Sequence, residues 1–222
     1  MTPTGLPDAG ELVSFLGANP AVPTARLVRW KTVYRPYICP IDAILALIPS
    51  GSRVGDIGCG GGALLACVAG FRHPESLLGL EVDADSLTRA RDLLAAVAGA
   101  PVPEWQAYDG ERFPVGLHAC DVVLLIDVLH HVPPDRHGPF LQAVFDAMRP
   151  GAVLILKEID AGRRLLVWFN RLHDWLLAGA RGDERTADEI RTMLQAVGFT
   201  TDLVARQRLL VYPHVTLRAI KP

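Results

Sequence analysis

Apolar positions along the chain fall into two alternating kinds of run. Short apolar stretches near 53–57, 77–82, 104–108, 120–126 and 151–157 have the length and composition of buried strands, and stretches with helical spacing lie near 62–70, 85–98, 139–148 and 186–197. Alternation of this kind predicts a parallel sheet covered on both faces by helices. Two last runs, Thr201 to Gln207 and Val211 to Ile220, are joined by too short a link for a crossover, so they predict an antiparallel pair. Upstream, Asp8 and Glu11 form a capping box ahead of Leu12, Val13, Phe15 and Leu16, and Pro40 opens a helix over Ile41 to Ile48. Thr186 and Glu189 repeat the capping box before a helix that stops ahead of Gly198. The organisation expected is an N-terminal helical cap over 1–50 and an α/β domain over 51–222. Within that domain an insertion, 161–182, carries Leu165, Leu166, Trp168, Phe169, Leu172, Trp175, Leu176 and Leu177 as a broad apolar stripe.

Arg53 to Gly62, reading RVGDIGCGGG, is where the pattern first implies chemistry. A short apolar strand runs into a cluster of glycines, which lets the backbone turn sharply beneath a ligand before an apolar helix begins at Ala63. Gly58-x-Gly60-x-x-Ala63 satisfies the looser dinucleotide fingerprint, so a nicotinamide-dependent oxidoreductase is one reading. Asp56 argues against it: a carboxylate two residues before the first glycine repels a pyrophosphate and favours a cation. S-adenosylmethionine, with its ammonium and sulfonium and no phosphate, has the matching charge. Glu81, at the end of the second strand and about 20 residues beyond the loop, is placed to accept hydrogen bonds from both hydroxyls of a ribose.

These stretches resemble the class I S-adenosylmethionine-dependent methyltransferases. VGDIGCGGG is similar to that family's first motif, VLDIGCGTG, with Gly55 in place of Leu and Gly61 in place of Thr. GLEVDADSLTRAR is similar to its second, GVDISPEMLEKAR, and DVVLLIDVLHHVPP to its fourth, FDVVVSSDVLHHVPD. The resemblance implies a Rossmann-like, seven-stranded, mostly parallel sheet ending in an antiparallel hairpin. It implies cofactor contacts from Asp56, Gly58, Cys59, Gly60 and Gly62, from Glu81 on the ribose and Val82 on the adenine, from Asp109 on the adenine amino group with Gly110 beside it, and from Asp127. Asp83 reads instead as the cap of the following helix. The family's nucleic-acid amino methyltransferases carry DPPY or NPPY at the fourth motif, and this chain does not.

His130 and His131 are the candidate general bases, since an imidazole can take a proton from a phenol or similar hydroxyl near neutral pH. Only one of the two is expected to point inward, with Asp127 as its orienter or as a substrate contact; a structural pair at a helix start is the competing reading. Lys157 and Glu158 resemble the LIKE ending common in fifth strands, where Glu158 lines the pocket or simply ends a strand. Arg26, Arg29, Lys31 and Arg35 interleave with Trp30, Tyr34 and Tyr37, a pattern that suits an anionic or lipid-like substrate or a solvated face beside packed aromatics. RWKTVYRPYICP is similar to the leader of small bacterial methyltransferases of aryl polyene and fatty-acid-like pathways. Tyr34, Tyr37, Trp168 and Trp175 are accordingly the expected contacts of a small aromatic or lipid-like acceptor, methylated on oxygen. A catalytically silent, methyltransferase-like binding subunit is the alternative.

Composition narrows the classes further. With 222 residues, 50% apolar and 21% charged, the chain can bury a full core. A formal charge of −2 supplies no broad basic field for nucleic acid. Cys39, Cys59, Cys67 and Cys120 lie too far apart for a CxxC pair, so no metal site and no disulfide framework is expected. The N-terminus lacks a secretory pattern, and no apolar run approaches the roughly 18 residues of a spanning helix. A cytoplasmic protein without stable membrane insertion is expected, and a homodimer is compatible with the apolar stripe.

Overall fold

The computed structural model of the protein describes residues 5–160, 185–210 and 212–222. Its strands form a seven-stranded sheet in the order β3-β2-β1-β4-β5-β7-β6, where β1 is Arg53–Ile57, β2 Ser76–Glu81, β3 Glu104–Ala107, β4 Val122–Ile126, β5 Val153–Ile159, β6 Thr200–Leu209 and β7 Tyr212–Ile220. Chain contacts divide the protein into two compact units, Met1–Gly110 and Glu111–Pro222.

In the first unit β1 pairs parallel with β2 and β2 with β3, as crossover connections require. Helix α4, Ala63–Arg72, follows β1 and is buried from Ala63 to Ala69; helix α5, Ala84–Ala95, follows β2 and packs on β2 and β3. Asp83 caps α5, accepting the Ser86 N–H at 2.9 Å. Helix α1, Ala9–Ala18, begins at the expected capping box, in which the Glu11 N–H donates to Asp8 and the Asp8 N–H to Glu11. Helices α1 and α3, Ile41–Ala46, both pack against α4. Between them the basic and aromatic stretch forms helix α2, Arg26–Val33, and a single 3-10 turn, Arg35–Tyr37. No helix was expected there, because the position before Arg26 is Ala25, which caps nothing, and the apolar residues of the segment do not share one buried face.

In the second unit β4 and β5 pair parallel, and β7 runs antiparallel between β5 and β6. Helix α6, His137–Ala147, precedes β5, and helix α7, Ala187–Ala196, precedes β6 with both halves of its Thr186 and Glu189 capping box formed. The fifth strand runs to Ile159, so Lys157 and Glu158 are paired strand residues rather than a strand end. Their side chains alternate to opposite faces of the sheet, and both are buried. The insertion 161–182, with Trp168 and Trp175, lies outside the described residues.

Gly62 shows how tightly the first turn is built. It stands at φ +79 as the residue before α4, and a β-carbon there would lie 2.9 Å from the Cα and Cβ of Ala90 on α5. Gly62→Ala should therefore cost about 2–4 kcal/mol, from overpacking together with the left-handed backbone. Gly61→Ala, in open space without a left-handed φ, should leave stability within about 0.5 kcal/mol of wild type. Urea unfolding midpoints of the two variants check this.

Candidate functional site

The glycine loop after β1 is bonded to the end of β2. Gly58 and Cys59 donate their N–H groups to the Leu80 carbonyl at 2.8 and 3.0 Å, and the Gly60 N–H donates to Glu81 Oε2 at 2.7 Å. Glu81 Oε1 accepts the N–H groups of Val82 and Asp83 at 2.8 and 3.1 Å. One carboxylate thus secures the loop and the turn after its own strand. A carboxylate offers about four acceptor positions, so three backbone bonds leave capacity for one further donor. Gly58 and Gly60 adopt positive φ of 74 and 54, as a loop this tight demands of glycine.

Asp56, the fourth residue of β1, is buried. Burial pushes its carboxyl up from 3.8 to about 7; the Arg35 guanidinium opposes this shift and the Glu81 carboxylate adds to it. Burial likewise pushes the Cys59 thiol up, so Cys59 contributes its backbone and volume rather than a thiolate. Tyr108, directly after β3, is pushed up to about 12, by burial first and then by Glu81, Cys59, Asp109 and Asp56. Arg35 and Tyr108 are thus electrostatic neighbours of the loop that no motif identified: Arg35 lies 21 positions before Asp56 in the sequence, and Tyr108 reads as a strand aromatic. Val82 and Asp109 are exposed, and a β-carbon on Gly110 would sit 4.0 Å from Val82 Cγ1. The first unit therefore gathers Asp56, Gly58, Cys59, Gly60, Gly62, Glu81, Val82 and Gly110 at the carboxyl ends of its strands. Tyr34 and Tyr37 flank Arg35, both exposed, with ring centroids 6.3 Å apart and stacked.

A second cluster lies where β4 ends. Asp127 takes a positive φ of 57; its N–H donates to the Lys157 carbonyl at 2.9 Å, and its Oδ1 accepts from Lys157 Nζ at 2.6 Å. A left-handed aspartate is uncommon and costs about 1–3 kcal/mol, so it persists only where its surroundings enforce it. Here a fully buried lysine does. Glu158 faces the next turn: Oε1 accepts the N–H groups of Val128 and Leu129 at 2.9 and 2.7 Å, and Oε2 meets His130 Nδ1 at 2.6 Å. The carboxylate found on His130 is therefore Glu158, whereas the sequence pointed to Asp127. His130 is buried and His131 exposed, with ring centroids 4.0 Å apart, so one of the pair points inward as expected. Because Glu158 anchors Nδ1, the tautomer with Nδ1 protonated is favoured and Nε2 becomes the basic nitrogen. His130 and Glu158 lie 28 positions apart, which is why spacing alone could not pair them.

Comparison with known proteins agrees with this architecture. The methyltransferase domain family matches residues 29–204. A carboxy-S-adenosyl-L-methionine synthase of Chromohalobacter salexigens is 27% identical over 66% of this chain and 55% of its own length. A ubiquinone biosynthesis O-methyltransferase of Rhizobium rhizogenes is 30% identical over 73% of this chain and 65% of its own. The chain thus spans less than two thirds of the length of these curated relatives. Among solved structures, the magnesium protoporphyrin IX methyltransferase of Synechocystis PCC 6803 with bound SAH superposes with a TM-score of 0.69, at 19% identity, over 90% of each chain; at that identity the likeness is one of fold. The strand order, the antiparallel last strands, the glycine loop after β1 and the extent of the family match lead to one conclusion: this chain belongs to the methyltransferase domain family, the class I S-adenosylmethionine-dependent methyltransferases.

Proposed function

We propose that this chain transfers the methyl group of S-adenosylmethionine to an oxygen of a small aromatic or lipid-like acceptor. The observation that carries the choice of oxygen is the buried His130–Glu158 pair at 2.6 Å, a base whose orientation is set before any acceptor arrives. A relative named as an O-methyltransferase supports it. The nicotinamide reading of the glycine loop is set aside by family membership.

In this reading Asp56 and Glu81 supply the negative charge that a cationic cofactor needs. Gly58, Cys59, Gly60 and Gly62 offer backbone at close range, Val82 and Gly110 border the adenine, and Asp109 accepts from its amino group. S-adenosylmethionine supplies an electrophilic methyl carbon when bound. His130 Nε2 would take the hydroxyl proton of the acceptor as its oxygen lone pair forms the new C–O bond and the methyl–sulfur bond breaks to leave a neutral thioether, and Glu158 would stabilise the imidazolium so formed. His131 is the reserve base. Asp127, held by Lys157, keeps the end of β4 in its left-handed turn and presents a second oxygen to the ligands. Tyr34 and Tyr37 contact the acceptor, and so do Trp168 and Trp175 of the insertion. Segment 1–50 acts as the cap of the site. A positioned base contributes about 10²- to 10⁴-fold to the rate.

Two outcomes are expected. His130→Ala and Glu158→Gln should each lower kcat by at least about 10²-fold while changing S-adenosylhomocysteine affinity little; Glu158→Asp, which keeps a carboxylate at shorter reach, should recover part of the loss. A screen of phenolic and long-chain hydroxylated acceptors by mass spectrometry, followed by steady-state kinetics, checks this. Turnover unchanged in His130→Ala removes the base from the reaction, and binding without turnover across the whole screen assigns the chain as a silent binding subunit.

The pH dependence follows from Asp56. An adjacent cofactor ammonium favours the carboxylate, so binding near neutrality releases a proton. Affinity should rise with pH up to about 7 and fall by up to about tenfold per unit below that. For stability the sign is reversed. The folded-state value lies above the unfolded 3.8, so the ligand-free fold loses stability as pH rises between those values and the loss is complete above about 7. Asp56→Asn should thus raise the Tm of the ligand-free protein more at pH 8 than at pH 5 while weakening cofactor binding and flattening its pH profile. Calorimetry in two buffers of different ionisation enthalpy, with thermal scans at both pH values, measures each part.

A further inference from the structure

Helix α2 exposes an apolar stripe on the side away from its buried face. Leu27, Trp30 and Tyr34 follow at i, i+3 and i+7, which places them on one side of the helix. They are 53%, 44% and 44% exposed, and Tyr37 of the next turn is 45% exposed. Val33, on another side, is buried, and α2 packs on α1. Surfaces normally scatter large apolar side chains singly, so four within eleven residues mark a contact face.

Charge selects the partner. From Leu12 to Ile41 the chain carries Arg26, Arg29, Lys31 and Arg35 and no Asp or Glu, although the protein as a whole is negative at −2. At 100° per residue Arg26 and Lys31 fall on the two flanks of the Leu27–Trp30–Tyr34 stripe, and Arg26, Arg29 and Lys31 are all exposed. Aromatic side chains bordered by cations match the headgroup region of an anionic bilayer. There Trp and Tyr lie at the boundary between water and hydrocarbon, and Lys and Arg reach the phosphates. An eight-residue helix is too short to span a bilayer, and no described helix is long and apolar enough to do so. The contact is therefore interfacial.

We propose that the exposed face of α2, with Arg26, Leu27, Trp30 and Lys31, docks this protein reversibly on membranes that carry anionic lipid. The inference stands apart from the choice of acceptor, because docking needs neither cofactor nor turnover. A second copy of this chain fits less well, since two such faces would bring their cations together.

Co-sedimentation of the full chain with vesicles tests it. Binding to vesicles with about 30% phosphatidylglycerol should exceed binding to pure phosphatidylcholine by at least tenfold and weaken with added salt. Arg26→Gln with Lys31→Gln should lower the partition coefficient by roughly fivefold per removed cation, and Leu27→Ser with Trp30→Ser by at least about tenfold. Both double variants should retain S-adenosylhomocysteine affinity and Tm, which excludes misfolding. Asp56→Asn, which weakens cofactor binding while the fold stays intact, should still sediment with anionic vesicles; that outcome separates this inference from the methyl-transfer reading. Absence of sedimentation with either vesicle, equal binding to neutral and anionic vesicles, or undiminished binding by the Leu27 and Trp30 variant each overturns the proposal. So does concentration-dependent dimerisation that the same variant abolishes without any vesicle binding.

Discussion

Two glutamates, each near the end of a strand, tie the backbone of a neighbouring strand's loop, and the functional geometry depends on those ties. Glu81 on β2 holds the Gly60 N–H of the loop after β1; Glu158 on β5 holds the Val128 and Leu129 N–H groups of the turn after β4. In both cases a side-chain carboxyl group replaces the water that exposed N–H groups would otherwise bind, so backbone donors are satisfied by the protein itself. Each carboxylate has a second partner, the turn at Val82 and Asp83 for Glu81 and the His130 imidazole for Glu158. Both loops are thereby shaped by the protein's own side chains.

This arrangement places ionisable groups where water does not reach. Asp56, Lys157, Glu158 and His130 are all buried, in a core built mainly from Leu, Ile, Val and Ala. Lys157 and Glu158 stand consecutively on β5, so one strand serves Asp127 on one side of the sheet and His130 on the other. Asp56 differs, because its burial is opposed by Arg35 but reinforced by Glu81, and the sum keeps its carboxyl near 7. Such a group destabilises the ligand-free fold and gains most when a cation binds. Residues set against stability in this way are typical of sites retained for function.

The N-terminal segment links site and surface. Arg35 reaches Asp56 electrostatically, while Trp30, Tyr34 and Leu27 of the same segment face outward among cations. One short stretch of chain thus carries both an electrostatic partner of the buried acid and an outward-facing apolar patch. Its polarity pattern is unlike that of the other described α-helices, none of which exposes a large apolar side chain.

Much of this was legible along the chain because it depends on local rules. Strand and helix alternation, the capping boxes at Asp8 and Thr186, the cap at Asp83 and the antiparallel last pair each follow from residues within a turn or two of one another. The glycine loop, with Asp56 before it and Glu81 at the end of β2, was readable for the same reason: a tight turn and a strand end leave fixed spacings. Helix α2 was not, since its outer face is apolar and no cap announces it. Nor were the pairings that give the site its chemistry. Glu158 rather than Asp127 on His130, Lys157 on Asp127 and Arg35 beside Asp56 join residues 21 to 30 positions apart. Sequence determined which chemical groups are available and which elements carry them; only the register of β4 against β5, and the packing of the N-terminal helices on α4, decided which groups meet, because a hydrogen bond is made across space and spacing along the chain does not encode that distance.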